Sequence, residues 1–144
     1  DLETIQLALT AAETGHLVLS TLHTSSAVKT IDRIIDVFPS GQKSQIRSML
    51  SESLEAVIAQ KLLPKKSGDG RCPASEILIA NSAVRNLIRE DKIYQIPSII
   101  QSGSQEGMQT LDNDLQRLVS QGIIQRKDAK YVADDPELFN KAIF

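Results

Sequence analysis

The stretch that most constrains this chain is TGHLVLSTLHTSS, from Thr14 to Ser26. At its middle, Leu17, Val18 and Leu19 form an apolar run that predicts a short buried strand. Gly15 just before it predicts the stop of a preceding helix. After the run, Ser20, Thr21, His23, Thr24, Ser25 and Ser26 place hydroxyls and an imidazole where such a strand would leave its sheet. In open α/β sheets, ligands bind beyond the carboxyl ends of the strands. A polar strand end leading into a helix is therefore a candidate phosphate-sensing position.

The flanking patterns are mostly helical. Residues 1–14 carry Leu2, Ile5, Leu9 and Ala12 near one face, with Asp1 and Glu3 in the first turn, where acids suit the helix dipole. A second helix is predicted over 26–38, capped by Ser25 or Ser26, with Ile31, Ile34, Ile35 and Phe38 on one stripe. Pro39-Ser40-Gly41 ends it. From Lys43 the helical spacing resumes through Ile46, Met49, Leu50, Leu54 and Val57. Residues 58–64 fit either the end of that helix or a strand. The turn at 65–70 and the β-branched-rich Ile77-Leu78-Ile79 run then point to a hairpin. Beyond it, Asn81 or Ser82 can cap a helix over 83–90, and Pro97 suits a helix start. Gly103 and Gly107 bracket a loop. Thr110 can cap a helix over 111–121, with Leu111, Leu115, Leu118 and Val119 inward and Gly122 as its stop. A short helix is expected over 127–132, and Pro136 suits the start of a terminal one.

Composition removes several classes of function. The chain has 144 residues, enough for one domain with a real core. Its 16 basic and 18 acidic residues give a net charge of −2, which argues against nucleic-acid binding driven by bulk electrostatics. Aromatic residues make up 3% with no Trp, so base-stacking platforms are not expected. Cys72, the single cysteine, excludes an internal disulfide and a multi-cysteine zinc site; it reads as a small, partly buried side chain. No metal site is expected. No apolar run reaches the roughly 18 residues needed to span a bilayer, so no transmembrane segment is expected.

Two motifs carry a resemblance. TGHLVLSTLHT resembles the histidine box of the bacterial secretion and type IV pilus ATPases, P-loop motors that work as hexamers, with His16 and His23 matching its two histidines. The second motif is Ala83, Val84, Arg85, Asn86, Leu87, Ile88, Arg89 and Glu90. On a helix, Ala83 with Leu87 and Val84 with Ile88 form an apolar stripe, and Arg85 with Arg89 a basic one. By itself that is an ordinary amphipathic surface helix. The segment nevertheless resembles the AIRNLIRE signature of the pilus retraction branch, with Val84 in place of Ile. The four-cysteine zinc loop of the extension and secretion branches has no counterpart after Leu62, which again resembles the retraction branch. GMQTLD, from Gly107 to Asp112, matches a family loop without suggesting a chemical role.

The resemblance implies an α/β fold. Residues 1–80 would be the second half of a RecA-like P-loop NTPase domain, and residues 81–144 a helical C-terminal subdomain. It implies ATP hydrolysis with ATP and Mg2+, in a homo-hexamer that drives type IV pilus retraction and twitching motility. The motor would be cytoplasmic, peripheral at the inner membrane, and partnered by a pilus platform protein of that membrane. His23 would be catalytic, reporting the γ-phosphate or placing the attacking water. A strand-end histidine can also simply satisfy backbone groups. Thr21 and Thr24 would contribute phosphate sensing, and His16, at the strand's start, a structural or subunit-contact role. The 83–90 segment would couple hydrolysis to movement. No GxxxxGK[ST] sequence occurs in the chain, and it opens on Asp1 without Met. It therefore reads as a fragment whose P-loop and acidic segment lie upstream, expected to hold no cofactor and to be inactive alone. The alternatives are an extension or secretion ATPase, and a non-catalytic helical adaptor using the Arg85/Arg89 face.

Overall fold

The structure, a computed structural model, describes residues 1–140. Helices α1 (Leu2–Glu13), α2 (Ala27–Asp36) and α3 (Lys43–Ser53) precede an antiparallel hairpin of β1 (Ala56–Pro64) and β2 (Arg71–Ile79). Helices α4 (Ser82–Arg89), α5 (Ile96–Ser102), α6 (Leu111–Ser120) and α7 (Arg126–Val132) follow. The mixed α/β class agrees with the sequence expectation. The terminal helix begun by Pro136 is a single 3-10 turn, Pro136–Phe139.

The helix starts follow the caps read from sequence. Ser26, Asn81 and Thr110 each accept the N–H three residues on, from Lys29, Val84 and Asn113. Gly15 ends α1 as expected, with φ of +91°. His16 N donates to Ala11 O at 3.1 Å and Gly15 N to Ala12 O at 3.0 Å, the paired bonds of a Schellman motif.

The expected buried strand at Leu17–Leu19 is not formed. Residues 16–24 adopt no regular secondary structure, and Leu17 and Leu19 are 82% and 87% exposed. A strand exists only with a ladder partner. The sheet of the described residues is the two-stranded β1–β2 pair, and the backbone of residues 17–25 bonds to no other described backbone. An apolar run without a partner or a covering layer stays extended and wet. A second expectation also shifts: α3 ends at Ser53, before Val57. Val57 and Ile58 instead pair with Leu78 and Ile77, because β-branched residues such as Val57, Ile58 and Ile77 suit a pleated, half-buried surface better than a further helical turn.

Two buried clusters organise the packing, and the hairpin runs between them. Its open end gives Val57 and Leu78 to a cluster with Leu9, Ile31, Ile35, Leu50, Val84, Ile88 and Ile96. Its turn end gives Leu63, Cys72 and Ala74 to a second cluster with Leu111, Leu115, Leu118 and Ile124. Each fully buried Ile or Leu contributes about 1.5–3 kcal/mol. The hairpin is therefore shared: its open end packs on helices from both sides of residue 80, and its turn end on α6 and α7.

Candidate functional site

The turn at residues 20–26 is fixed from the α2 side. Ser26 is extended (φ −154°, ψ 162°), and its Oγ accepts from Lys29 N at 3.2 Å. Thr30 Oγ1 donates to Ser26 O at 2.9 Å and lies 2.7 Å from Thr24 Oγ1. A hydroxyl has one proton. Thr30 spends its own on Ser26 O, so Thr24 must donate to Thr30. Thr24 can offer its proton to a phosphate only by releasing Thr30. Lys29 Nζ donates to Ser25 Oγ at 3.2 Å. Thr21 and His23 are exposed, and their side chains hydrogen-bond to no other described residue.

These residues line a cleft of about 900 Å³ together with Lys29 and Arg33 of α2 and Ala56 to Gln60 of β1. No carboxylate is among its described lining residues, so its charge is positive. A hydroxyl, an imidazole, an ammonium and a guanidinium facing one cleft suit a polyanion such as a nucleotide phosphate chain. His16 sits elsewhere. It borders an apolar groove of about 560 Å³ beside α1 and the end of α3, with Nδ1 3.1 Å from Thr14 Oγ1. The Schellman motif at Gly15 dictates its position; the groove adjoins the cleft through shared walls such as Leu22, Ile34 and Leu54, but His16 lines only the groove and His23 only the cleft.

The 82–89 helix, α4, is partly committed to packing. Val84 and Ile88 are fully buried. Arg85 reaches the end of α3, where Nη1 donates to Ser51 O at 3.0 Å and Glu52 O at 2.7 Å. Those carbonyls belong to the last helical turn, which has no intrahelical donors of its own. Nη2 also meets Glu55 Oε1 at 3.1 Å, but Glu55 is 77% exposed, so that ion pair adds little. Arg85→Ala is expected to destabilise the protein by about 1–2 kcal/mol in urea unfolding, and Arg85→Lys to recover under half of that. A loss below about 0.5 kcal/mol would mean that water serves the α3 carbonyls equally well. The rest of the motif faces solvent as Ala83, Asn86, Arg89 and Glu90. Lys92, bonded to Glu90, holds that carboxyl below its usual range, helped by Asn86.

A family model described as "Type II/IV secretion system protein" matches residues 1–131. The chain belongs to this secretion ATPase family. It is 62% identical over 137 residues to a twitching motility protein of Neisseria gonorrhoeae, and 61% identical over 139 residues to the type IV pilus retraction ATPase PilT of Pseudomonas aeruginosa. These alignments take in 95% and 96% of the chain but 37% and 40% of the two relatives. A crystal structure of the pilus retraction motor PilT with bound ADP superposes with a TM-score of 0.84 at 49% identity, covering 96% of this chain and 38% of that one. The chain thus spans about two fifths of the length of these members of the secretion ATPase family.

Of the residues singled out in sequence, the structure brings Thr21, His23 and Thr24 to one cleft. It leaves His16 and α4 outside that cleft. Sequence reading missed Glu76, whose Oε1 accepts from Ala27 N, the first N–H of α2, at 2.6 Å. A signal was present: Glu76 is the sole acid in the strand RCPASEILI. Burial pushes its carboxyl up, against the bond from Ala27; Asp134 and Asp112 push the same way as burial, and Lys61 opposes. The folded carboxyl therefore holds its proton more tightly than in the unfolded chain. Its contribution to stability is complete below the ordinary value of 4.5 and is lost as pH rises through the folded value. Relative to Glu76→Gln, the wild-type melting temperature should fall as pH rises from about 4 through the raised folded value. A constant difference across that range would show that folding leaves this carboxyl's proton affinity unchanged.

Proposed function

We propose that the full-length protein containing this chain is an ATP-hydrolysing hexameric motor that powers type IV pilus retraction. Residues 1–80 would supply the second half of its nucleotide domain, and residues 81–144 a helical subdomain. The observation that carries the reading is the carboxylate-free cleft holding Thr21, His23, Lys29 and Arg33 in a chain 61% identical to a retraction ATPase. In this reading Thr21 and His23 contact the nucleotide phosphates as hydrogen-bond donors, and Lys29 and Arg33 offset their charge. Phosphoryl transfer needs little more from a protein than placement and charge stabilisation. His16 holds the end of α1 or a subunit contact. Within α4, Arg85 ties the motif to α3, and the exposed Asn86, Arg89 and Glu90 are the groups left to meet a moving partner, such as a neighbouring subunit or a platform protein at the inner membrane.

Magnesium is a separate matter. The cleft's described lining offers no carboxylate, and no group of three acidic, His or Cys side chains gathers among the described residues. These residues do not fit a Mg2+ site. No helix of the described residues is long and apolar enough to cross a membrane, and a motor at the cytoplasmic face of the inner membrane needs none.

The test is ATP turnover by the purified full-length protein, together with twitching on agar by cells lacking and regaining its gene. Turnover and restored twitching are expected. A full-length protein without ATPase activity would sink the motor reading, and turnover without any effect on twitching would sink the retraction assignment.

A further inference from the structure

Strand β2 presents three consecutive residues to three different parts of the chain. Ser75 N donates to Asp114 Oδ2 of α6 at 2.8 Å. Glu76 Oε1 accepts from Ala27 N at the start of α2 at 2.6 Å. Ile77 exchanges both backbone bonds with Gln109, at 2.8 and 3.0 Å, and Gln109 Nε2 donates to Ser75 O at 2.8 Å. The middle contact meets the cleft-lining turn from behind. Ala27 is fully buried and follows Ser26 directly, three residues after Thr24.

We propose that Glu76 is a positioning residue for nucleotide hydrolysis: by holding Ala27 N–H it fixes where α2 begins, and so where the turn places the His23 imidazole. The inference rests on the motor reading above. Helix α2 does not need Glu76 in order to form. Ser26 already caps it on Lys29 N, and its apolar stripe is buried through Ile31 and Ile35. What Glu76 adds is an anchor outside the helix, 49 residues away in sequence, on the strand that also grips α6. An acceptor oxygen suits the place, since the first N–H of a helix has no intrahelical partner. A half-buried acid beside the apolar Ile77-Leu78-Ile79 end of its strand costs folding energy. Its return is directional control of the turn. Because β2 also carries the Asp114 and Gln109 contacts, the anchor makes the placement of His23 respond to α6 and the 107–110 loop. A displacement of about 1 Å at a positioned group can cost on the order of 10²-fold in rate.

The test uses the full-length protein and three variants, Glu76→Ala, Glu76→Gln and His23→Ala. Glu76→Ala removes the acceptor; Glu76→Gln keeps a carbonyl oxygen for Ala27 N–H. The expected result is a kcat for ATP hydrolysis about 10-fold lower in Glu76→Ala, with KM within about 3-fold, and recovery to within about 3-fold in Glu76→Gln. Hydrogen exchange at residues 21–27 should quicken in Glu76→Ala and not in Glu76→Gln. An unchanged kcat in Glu76→Ala, while His23→Ala is impaired, would overturn the inference alone. Equal kcat losses in Glu76→Ala and Glu76→Gln, in step with equal losses of melting temperature, would also overturn it, since a merely structural role behaves that way. A wild-type protein without turnover would overturn the motor reading and this inference together.

Discussion

Replacing His23 with alanine is expected to lower kcat for ATP hydrolysis by the full-length protein about 10²-fold, with KM within about 3-fold. His16→Ala is expected to lower kcat less than about 3-fold. The difference follows from what each imidazole is doing. His23 is exposed in the positively charged cleft and spends no hydrogen bond on any described residue. A side chain that lines the cleft with its polar atoms unspent is available to substrate. A donor that engages phosphate oxygens as charge builds on them acts on the transition state more than on ground-state binding, hence a kcat effect. His16 instead faces the apolar groove, its ring nitrogen beside the Thr14 hydroxyl. The Schellman bonds that hold its backbone use N–H groups, which alanine keeps. Steady-state kinetics of the two variants decides the matter. Equal losses in both would mean that their different places, His23 in the cleft and His16 in the adjoining groove, do not divide their roles.

Where a structural feature rests on neighbours in sequence, it was legible. The caps at Ser26, Asn81 and Thr110, the Ile31/Ile35 stripe and the stop at Gly15 all depend on residues within a turn of one another. The hairpin was legible as well, because two β-branched runs flank a turn rich in Gly and Asp. Features set by distant partners were not. Leu17-Val18-Leu19 reads as a strand since pattern reports side-chain burial preference, whereas a ladder needs a second chain segment alongside. Val57 continues a helical spacing that its pairing with Leu78 overrides. The cleft was half legible. Thr21 and His23 stood out through their types and order, but nothing in sequence showed that Thr24 had committed its proton to Thr30. Glu76 and Asp114 look like surface acids in a string of letters. Their partners, Ala27 and Ser75, lie 49 and 39 residues away.

Asp114 supports the second large prediction: Asp114→Ala should cost about 2–3 kcal/mol of stability. The carboxylate is 3% exposed in a helix whose other inward positions are Leu111, Leu115 and Leu118. It accepts from Ser75 N at 2.8 Å and from Arg117 Nε and Nη2 at 2.9 and 2.6 Å. Truncation leaves the half-buried Ser75 N–H without an acceptor, which alone costs about 1–3 kcal/mol. The Arg117 side chain is half exposed, so water replaces most of what it loses, and the ion pair is discounted accordingly. Asp114→Asn keeps one oxygen for Ser75 and is expected to lose about half as much as alanine. Arg117→Ala should lose less than about 1 kcal/mol. Urea unfolding at constant m value measures all three. An Arg117→Ala loss equal to that of Asp114→Ala would place the energy in the ion pair. The expected order places it in the tie between α6 and β2, the strand that hands its next residue, Glu76, to the turn beside the cleft.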